Sequence, residues 1–250
     1  MLYGHESISH YTKSNIAIWM AMAFQAGVIN IGAFMACHRF VSHVTGFATF
    51  FGHEVSRGNR TQAWGMLVVP LFFLIGAMIS GQLVDLRLKL HKKPKYYLSF
   101  GFIFFLTLVV FFGGISGFFG VFGEPLAAYR DYALLIILCL ICGIQNGTIT
   151  TVSRSVIRTT HLTGITTDLG LGIVRILHRK RLEHMENEGK ANLMRVGIIS
   201  SFGAGSVVGG FIFKYFGYAG FLAPVVTSGI LFSLMIYHQV LRPEVVAEKS

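Results

Sequence analysis

Gly143-Ile144-Gln145-Asn146 closes an apolar run and is followed, after a short gap, by His161-Leu162-Thr163-Gly164-Ile165-Thr166-Thr167-Asp168-Leu169-Gly170. The first half of the chain carries the same pattern. Gly27-Val28-Ile29-Asn30 precedes a gap and then His43-Val44-Thr45-Gly46-Phe47-Ala48-Thr49-Phe50-Phe51-Gly52. Each copy is a Gly-x-x-Asn followed by His-x-Thr-Gly-x-x-Thr-x-x-Gly. An internal repeat constrains architecture before any single residue does. The two halves also match further on, where Ile75-Gly76-Ala77-Met78-Ile79-Ser80-Gly81 parallels Ala204-Gly205-Ser206-Val207-Val208-Gly209-Gly210.

Composition says what solvent surrounds the repeat. Of 250 residues, 53% are hydrophobic and only 13% charged, against roughly 25% charged in soluble domains. Mean hydropathy is +0.63. Such a chain cannot clothe itself in polar surface, so a lipid bilayer is the expected partner. The formal charge of +10 would suggest nucleic acid in a soluble protein. Here the basic residues sit in loops between apolar runs, which points to positive-inside topology and excludes nucleic acid. Cys37, Cys139 and Cys142 lie in or at the end of apolar runs and make no disulfide framework. The first apolar run is read as a membrane span, not a cleaved leader.

The apolar runs give six expected spans, about 16–36, 64–84, 97–119, 132–152, 196–213 and 221–241. Each is near the roughly 20 residues that cross about 30 Å of hydrocarbon. The Thr-Gly segments are shorter and richer in Gly, Thr and His, and read as re-entrant or broken pieces. The expected fold is an all-α polytopic membrane protein in one domain over 1–250. Its first repeat covers 15–122 and its second 131–241. Three spans per half is an odd number, so the halves would be inverted, the recurring plan of secondary transporters. Lys and Arg in the loops put the N-terminus, the Arg87–Lys95 loop and the Arg154–Arg195 connector in the cytoplasm. An alternative makes each Thr-Gly segment a full span, with eight spans and parallel halves. It places either Lys92 and Lys93 or Arg179 to Arg181 outside.

The candidate site lies where the two Thr-Gly segments would meet. Asn30 and Asn146, in or at the end of apolar runs, need partners and can both donate and accept. With Gln145, Thr45, Gly46, Thr163 and Gly164 they form the expected substrate-binding set. Thr45 and Thr163 are expected to cap the following half-helices, with Gly46 and Gly164 allowing a turn or a close approach. Asp168, with Phe50 at the matching first-half position, is the expected proton- or ion-coupling carboxylate. His43 and His161 are expected to assist it, since histidine changes charge between about pH 5 and 8. Glu54 reads as interfacial and Asp85 as a solvated loop charge. His53-Glu54 begins like a zinc-protease motif, but Arg57 occupies the second histidine position. No metal or cofactor is expected, and no nucleophile motif suggests an enzyme.

Arg158-Thr159-Thr160-His161-Leu162-Thr163-Gly164-Ile165-Thr166-Thr167-Asp168-Leu169-Gly170 resembles the YoaK-type family of bacterial inner-membrane proteins of unknown function. Gly143-Ile144-Gln145-Asn146 resembles its Gly-Leu-Gln-Asn step, and Phe40-Val41-Ser42-His43-Val44-Thr45-Gly46 its first-half motif. An Asn commonly follows that Thr-Gly in the family, where this chain has Phe47. The resemblance covers about Gln25 to Phe221 and implies a bacterial inner membrane. It brings no substrate. The expected activity is transport of an unidentified small solute, coupled to protons or ions. A passive channel or a purely structural membrane protein are the rivals. The glycine faces leave a homodimer open.

Overall fold

The computed structural model describes residues 13–125, 129–152, 162–178 and 188–241. Every regular element among them is helical. Helix α1 spans Lys13–Cys37, α2 Val44–Ser56 and α3 Arg60–Ser80. A π-helical turn, Gly81–Asp85, carries α3 directly into the short α4, Leu86–Lys89. Helix α5 spans Tyr96–Ile115, α6 Tyr129–Val152, α7 Leu162–Leu177 and α8 Glu188–Phe216. A 3-10 stretch, Gly217–Phe221, leads into α9, Leu222–Ile236, and a terminal π-turn, Tyr237–Leu241.

Among the described residues, five segments are long and apolar enough to cross a membrane: Asn15–Cys37, Arg60–Lys89, Tyr96–Ile115, Arg130–Thr150 and Glu188–Leu241. The last has 54 residues. Straight, it would reach about 80 Å, far beyond the roughly 30 Å of a bilayer core. It doubles back instead at Gly217, whose φ of +53° is a left-handed conformation that glycine adopts without a Cβ clash.

Two buried apolar clusters mark the ends of the bundle and give each helix its direction. Ile18, Tyr96, Ile149, Ile198 and Met235 belong to one end. Cys37, Met66, Val110, Leu134, Phe213 and Phe221 belong to the other. Helix α1 therefore runs from the first end to the second, α3 returns and α5 goes out again. In turn α6 returns, α8 goes out and α9 returns. The two short helices sit at opposite ends, with Phe47 of α2 in one cluster and Ile165 of α7 in the other.

The long helices are held together by glycine. A Cβ on Gly27 of α1 would collide with the Phe202 carbonyl of α8 and lie 2.9 Å from the Ser206 nitrogen. A Cβ on Gly143 of α6 would collide with the Phe73 carbonyl of α3 and lie 3.1 Å from the Ala77 nitrogen. Gly205 on α8 meets the backbone of Phe24, and Gly76 on α3 meets that of Leu140 and Ile144. Four glycines thus let two helix pairs, α1 with α8 and α3 with α6, approach backbone to backbone. The outward faces are apolar stripes at helical spacing. Trp64, Leu67, Leu71, Leu74 and Met78 are exposed along α3, and Phe102, Phe105, Val109 and Phe112 along α5. Contiguous exposed apolar surface on this scale calls for lipid or a protein cover.

Several expected bounds change. Helix α8 begins at Glu188, inside the stretch read as a charged connector. Helix α5 ends at Ile115, after which Gly117, Gly120 and Gly123 take positive φ. The chain can wind there and bury Phe119 between Gly113 and Tyr218. Asp85 is not in a loop, because the second span continues helically to Lys89.

Candidate functional site

The chain between α1 and α2 turns back into the bundle. Ser42 donates from Oγ to Asn30 Oδ1 at 2.9 Å, and its backbone N–H adds a second bond at 3.4 Å. Val41 is buried beside it, and its carbonyl accepts from Cys139 Sγ on α6 at 3.6 Å. Asn30 lies seven residues before the end of α1, a depth of about 10 Å at 1.5 Å per residue. Helix α2 begins at Val44, directly after this buried turn, and ends at Ser56, shortly before α3 begins at Arg60. Buried irregular backbone of this kind survives at depth because Asn30 and its neighbours satisfy it.

The short helix begins differently from the expectation. Its N-cap is His43, which makes no side-chain cap bond. Thr45 lies inside the first turn, and its carbonyl accepts from Thr49 Oγ1 at 3.1 Å. Thr163 repeats this, accepting from Thr167 Oγ1 at 2.9 Å. Both threonines are exposed. Gly46 and Gly164 are helical, without positive φ, and a Cβ on Gly164 would meet nothing within 4 Å. Thr45 thus does not cap, and neither glycine serves a turn or a close approach to another element. His43 is exposed and stands 5.6 Å from the Phe40 ring. His161 lies outside the described residues, as do Arg154, Arg158 and Arg179 to Arg181.

Asn146 has the same sequence context as Asn30 and a different environment. It is 4% exposed, yet neither Oδ1 nor Nδ2 has a hydrogen-bond partner. It lines a cavity of about 330 Å³ between α3 and α6, together with Phe73, Ala77, Gly81, Asp85, Gly147 and Thr150. Asp85 is held by Lys89 at 2.9 Å, one turn further along. A buried amide with no partner costs about 1–3 kcal/mol. It is therefore a standing demand for a polar guest with both donor and acceptor.

Gln145 is engaged elsewhere. Its Nε2 donates to the Met22 carbonyl at 2.8 Å, and its Oε1 accepts from Gln25 Nε2 at 3.2 Å. Gln25 Oε1 in turn accepts from Thr227 Oγ1 of α9 at 2.7 Å. One glutamine pair thus ties α1, α6 and α9 across the centre. Nearby, Ser80 pairs with Thr148 at 2.9 Å, and Thr107 with Ser228 at 3.1 Å.

The carboxylates exchange their expected standing. Asp168 is exposed on α7. Arg175, the described cation that could have paired with it, faces Glu188 at 3.6 Å, and Arg195 meets the same carboxylate at 2.8 Å. Asn192 and Arg195 are buried beneath Gly172, where a Cβ would collide with them. Glu54, the residue of α2 that matches Gly172, is only 7% exposed. Its charge is felt by Arg39 and by Tyr132. Arg39 lies 4.1 Å above the Phe50 ring. Burial lowers the pKa of Arg39, and the Glu54 charge opposes that shift most strongly.

The repeat directed attention to Asn30 and Asn146. Glu54, expected to be interfacial, is buried against the bundle, and Asp85, expected as a loop charge, lies in a helical turn. The signal for Glu54 was the charge left unmatched by Gly172. Asp85 carried none, because its basic neighbours made the stretch look like a loop.

No curated protein and no solved structure matches this chain. A family model described as "protein of unknown function (DUF1275)" matches residues 18–237, and the chain belongs to that family.

Proposed function

We propose that this protein carries a small polar solute across a bacterial inner membrane by alternating access. In this reading the helices make six crossings, as two inverted three-helix halves with the N-terminus in the cytoplasm. The alternation of α1, α3, α5, α6, α8 and α9 between the two end clusters supports it. So does the repetition of the Gly27–Phe202 approach in Gly143–Phe73. Inverted halves meeting over a central site are the common plan of secondary transporters.

Asn146 carries the proposal, as a buried amide with both polar atoms unpaired at a solute-sized cavity. The guest is a small solute with donor and acceptor groups side by side. Phe73 packs on its apolar part, and Asp85 lies at hand for a positive group. Thr45, Gly46, Thr163 and Gly164, on the short helices, line its route, with His43 at the start of α2. At the other end Asn30 is closed by Ser42. A site open at Asn146 and sealed at Asn30 suits a carrier better than a continuous channel, which would be open at both.

The test uses full-length protein in liposomes and a defined mixture of amino acids, small amides and alcohols. Solutes retained inside are measured by mass spectrometry, with and without an acid gradient. At least one is expected to accumulate tenfold over protein-free vesicles, and to lose that accumulation in Asn146→Leu. Equal contents in all vesicles would overturn carriage. Uptake that does not saturate would favour a channel.

A further inference from the structure

We propose that the Asn146 cavity takes a small primary amine that carries a carboxamide, with the ammonium on Asp85, the carboxamide on Asn146 and Lys89 as a tethered rival for the ammonium position. The inference deepens the transport reading of this cavity and rests on it for its purpose, though the binding chemistry can be tested alone.

The wall of the cavity is built to bring a carboxylate to it. Phe73, Ala77, Gly81 and Asp85 follow one another at four-residue steps, opposite Asn146, Gly147 and Thr150 of α6. Four residues slightly exceed one α-helical turn, so such a series drifts around a helix. The π-turn over Gly81–Asp85 holds more residues per turn and turns the series back, which keeps Asp85 on the cavity side. Turns of this kind gather at functional sites. Asp85 and Asn146 each stand four residues before the end of their span, at Lys89 and Thr150. The cavity therefore belongs to the end of the bundle that holds Val84 and Ile149.

The two poles ask for different groups. Among the described residues that line the cavity, Asp85 is the one charged side chain. Lys89 holds it at 2.9 Å, but the lysine side chain is 73% exposed and lies outside the lining. An exposed pair of this kind is weak, so a second ammonium can take the same carboxylate without a helix moving. The helix itself does not require an acid here. Extending the match of Gly76–Gly81 with Gly205–Gly210 by four residues puts Lys214 at the position of Asp85. At the other pole, Oδ1 and Nδ2 of Asn146 are both buried and unpaired. A carboxamide satisfies both at once, donating to the oxygen and accepting from the nitrogen, whereas a carboxylate only accepts. The volume of about 330 Å³ lies at the small end of ligand sites, which run from about 300 Å³ upward. It suits a short chain between two polar ends.

The experiment is titration calorimetry on the full-length protein in lipid nanodiscs. β-Alaninamide and γ-aminobutyramide are compared with butyramide and valeramide, neutral amides of the same shape in which a methyl replaces the ammonium. At least one amino amide is expected to bind about tenfold tighter than its neutral counterpart, as a charge-assisted contact allows. Asp85→Asn should remove that preference. Lys89→Gln should tighten amino-amide binding severalfold, because the rival ammonium is gone. Gly81 lines the cavity, and a Cβ there would meet nothing within 4 Å. Gly81→Leu therefore fills space without a backbone clash and should abolish binding of both kinds. Thermal unfolding of each variant shows that the fold is kept. Equal binding of amino and neutral amides, a preference that survives Asp85→Asn, weaker amine binding in Lys89→Gln, or no binding of any probe would each overturn the assignment. Binding requires no solute movement. Equal binding leaves the cavity and carriage standing, and a preference without uptake in liposomes leaves the solute class standing and removes carriage.

Discussion

Asn30 and Asn146 are one residue type at matched positions, and their surroundings separate them. Asn30 accepts twice from Ser42, whereas Asn146 meets no partner. Ser42→Ala should leave Asn30 unsatisfied and loosen the start of α2, at a cost of about 1–3 kcal/mol. A cysteine reagent at Val41→Cys should then react faster than in the parent, whereas unchanged reactivity would show that Asn30 does not hold the segment. The Gln25–Gln145 pair makes a different demand. Gln145→Leu strands Gln25 and the Met22 carbonyl among α1, α6 and α9, so unfolding in mixed micelles should shift by roughly 1–3 kcal/mol. That loss should appear with or without solute, because the Gln145 amide donates and accepts within the fold. The amide positions were legible in the sequence, since a polar side chain inside an apolar run is conspicuous. Their division into one closed, one open and one structural amide was not. It depends on which helix lies opposite, and spacing along one chain does not say.

At the scale of helices, glycine divides into two kinds that look alike in the sequence. Gly27, Gly76, Gly143 and Gly205 each meet a partner backbone where a Cβ would stand, while Gly164 faces open space. Gly143→Ala should therefore drive α6 off α3 and cost about 1–3 kcal/mol through overpacking. Gly164→Ala should fold at least as well as the parent, gaining up to about 1 kcal/mol from helix propensity. Thermal unfolding of the two variants side by side checks this. A loss of solute uptake in Gly164→Ala without loss of stability would locate a function for the glycine outside the fold. The helix pairs formed by these glycines were half-legible. The match of Gly76 with Gly205 showed related faces, but not that each packs on the other half of the chain. Helix bounds slipped where local chemistry misled. Glu188 begins α8 because its carboxylate is clamped by Arg175 and Arg195, contacts that a charge run alone does not reveal. The Thr-Gly steps looked like helix caps, and His43 took that position without a side-chain bond.

Over the whole molecule, direction is the informative quantity. Among the described residues, the end that holds Ile18, Tyr96, Ile198 and Met235 also carries Arg87 and Lys89 of α4 and the following Lys92, Lys93 and Lys95, with Arg175, Lys190 and Arg195. The opposite end carries Arg39, Arg57, Arg60, Arg130 and Lys214. The more basic end is the one expected in the cytoplasm. The short helices should then open to opposite compartments, α2 outward and α7 inward. Single cysteines decide it, placed as Arg57→Cys beside α2 and Lys93→Cys in the basic loop. The background replaces Cys37, Cys139 and Cys142, all buried and free. In sealed vesicles of known orientation, a membrane-impermeant maleimide should reach Arg57→Cys from outside and Lys93→Cys only from the cytoplasmic side. Labelling of both from one side would mean that the span through α3 does not separate the two positions, and the alternation of the six helices would fail. The proposed arrangement, in which the cavity at Asn146 and the closure at Asn30 belong to opposite compartments, would fall with it. Opposite labelling in the expected sense keeps the two asparagines as the proposed doors of one passage, with one held shut by Ser42 and the other open.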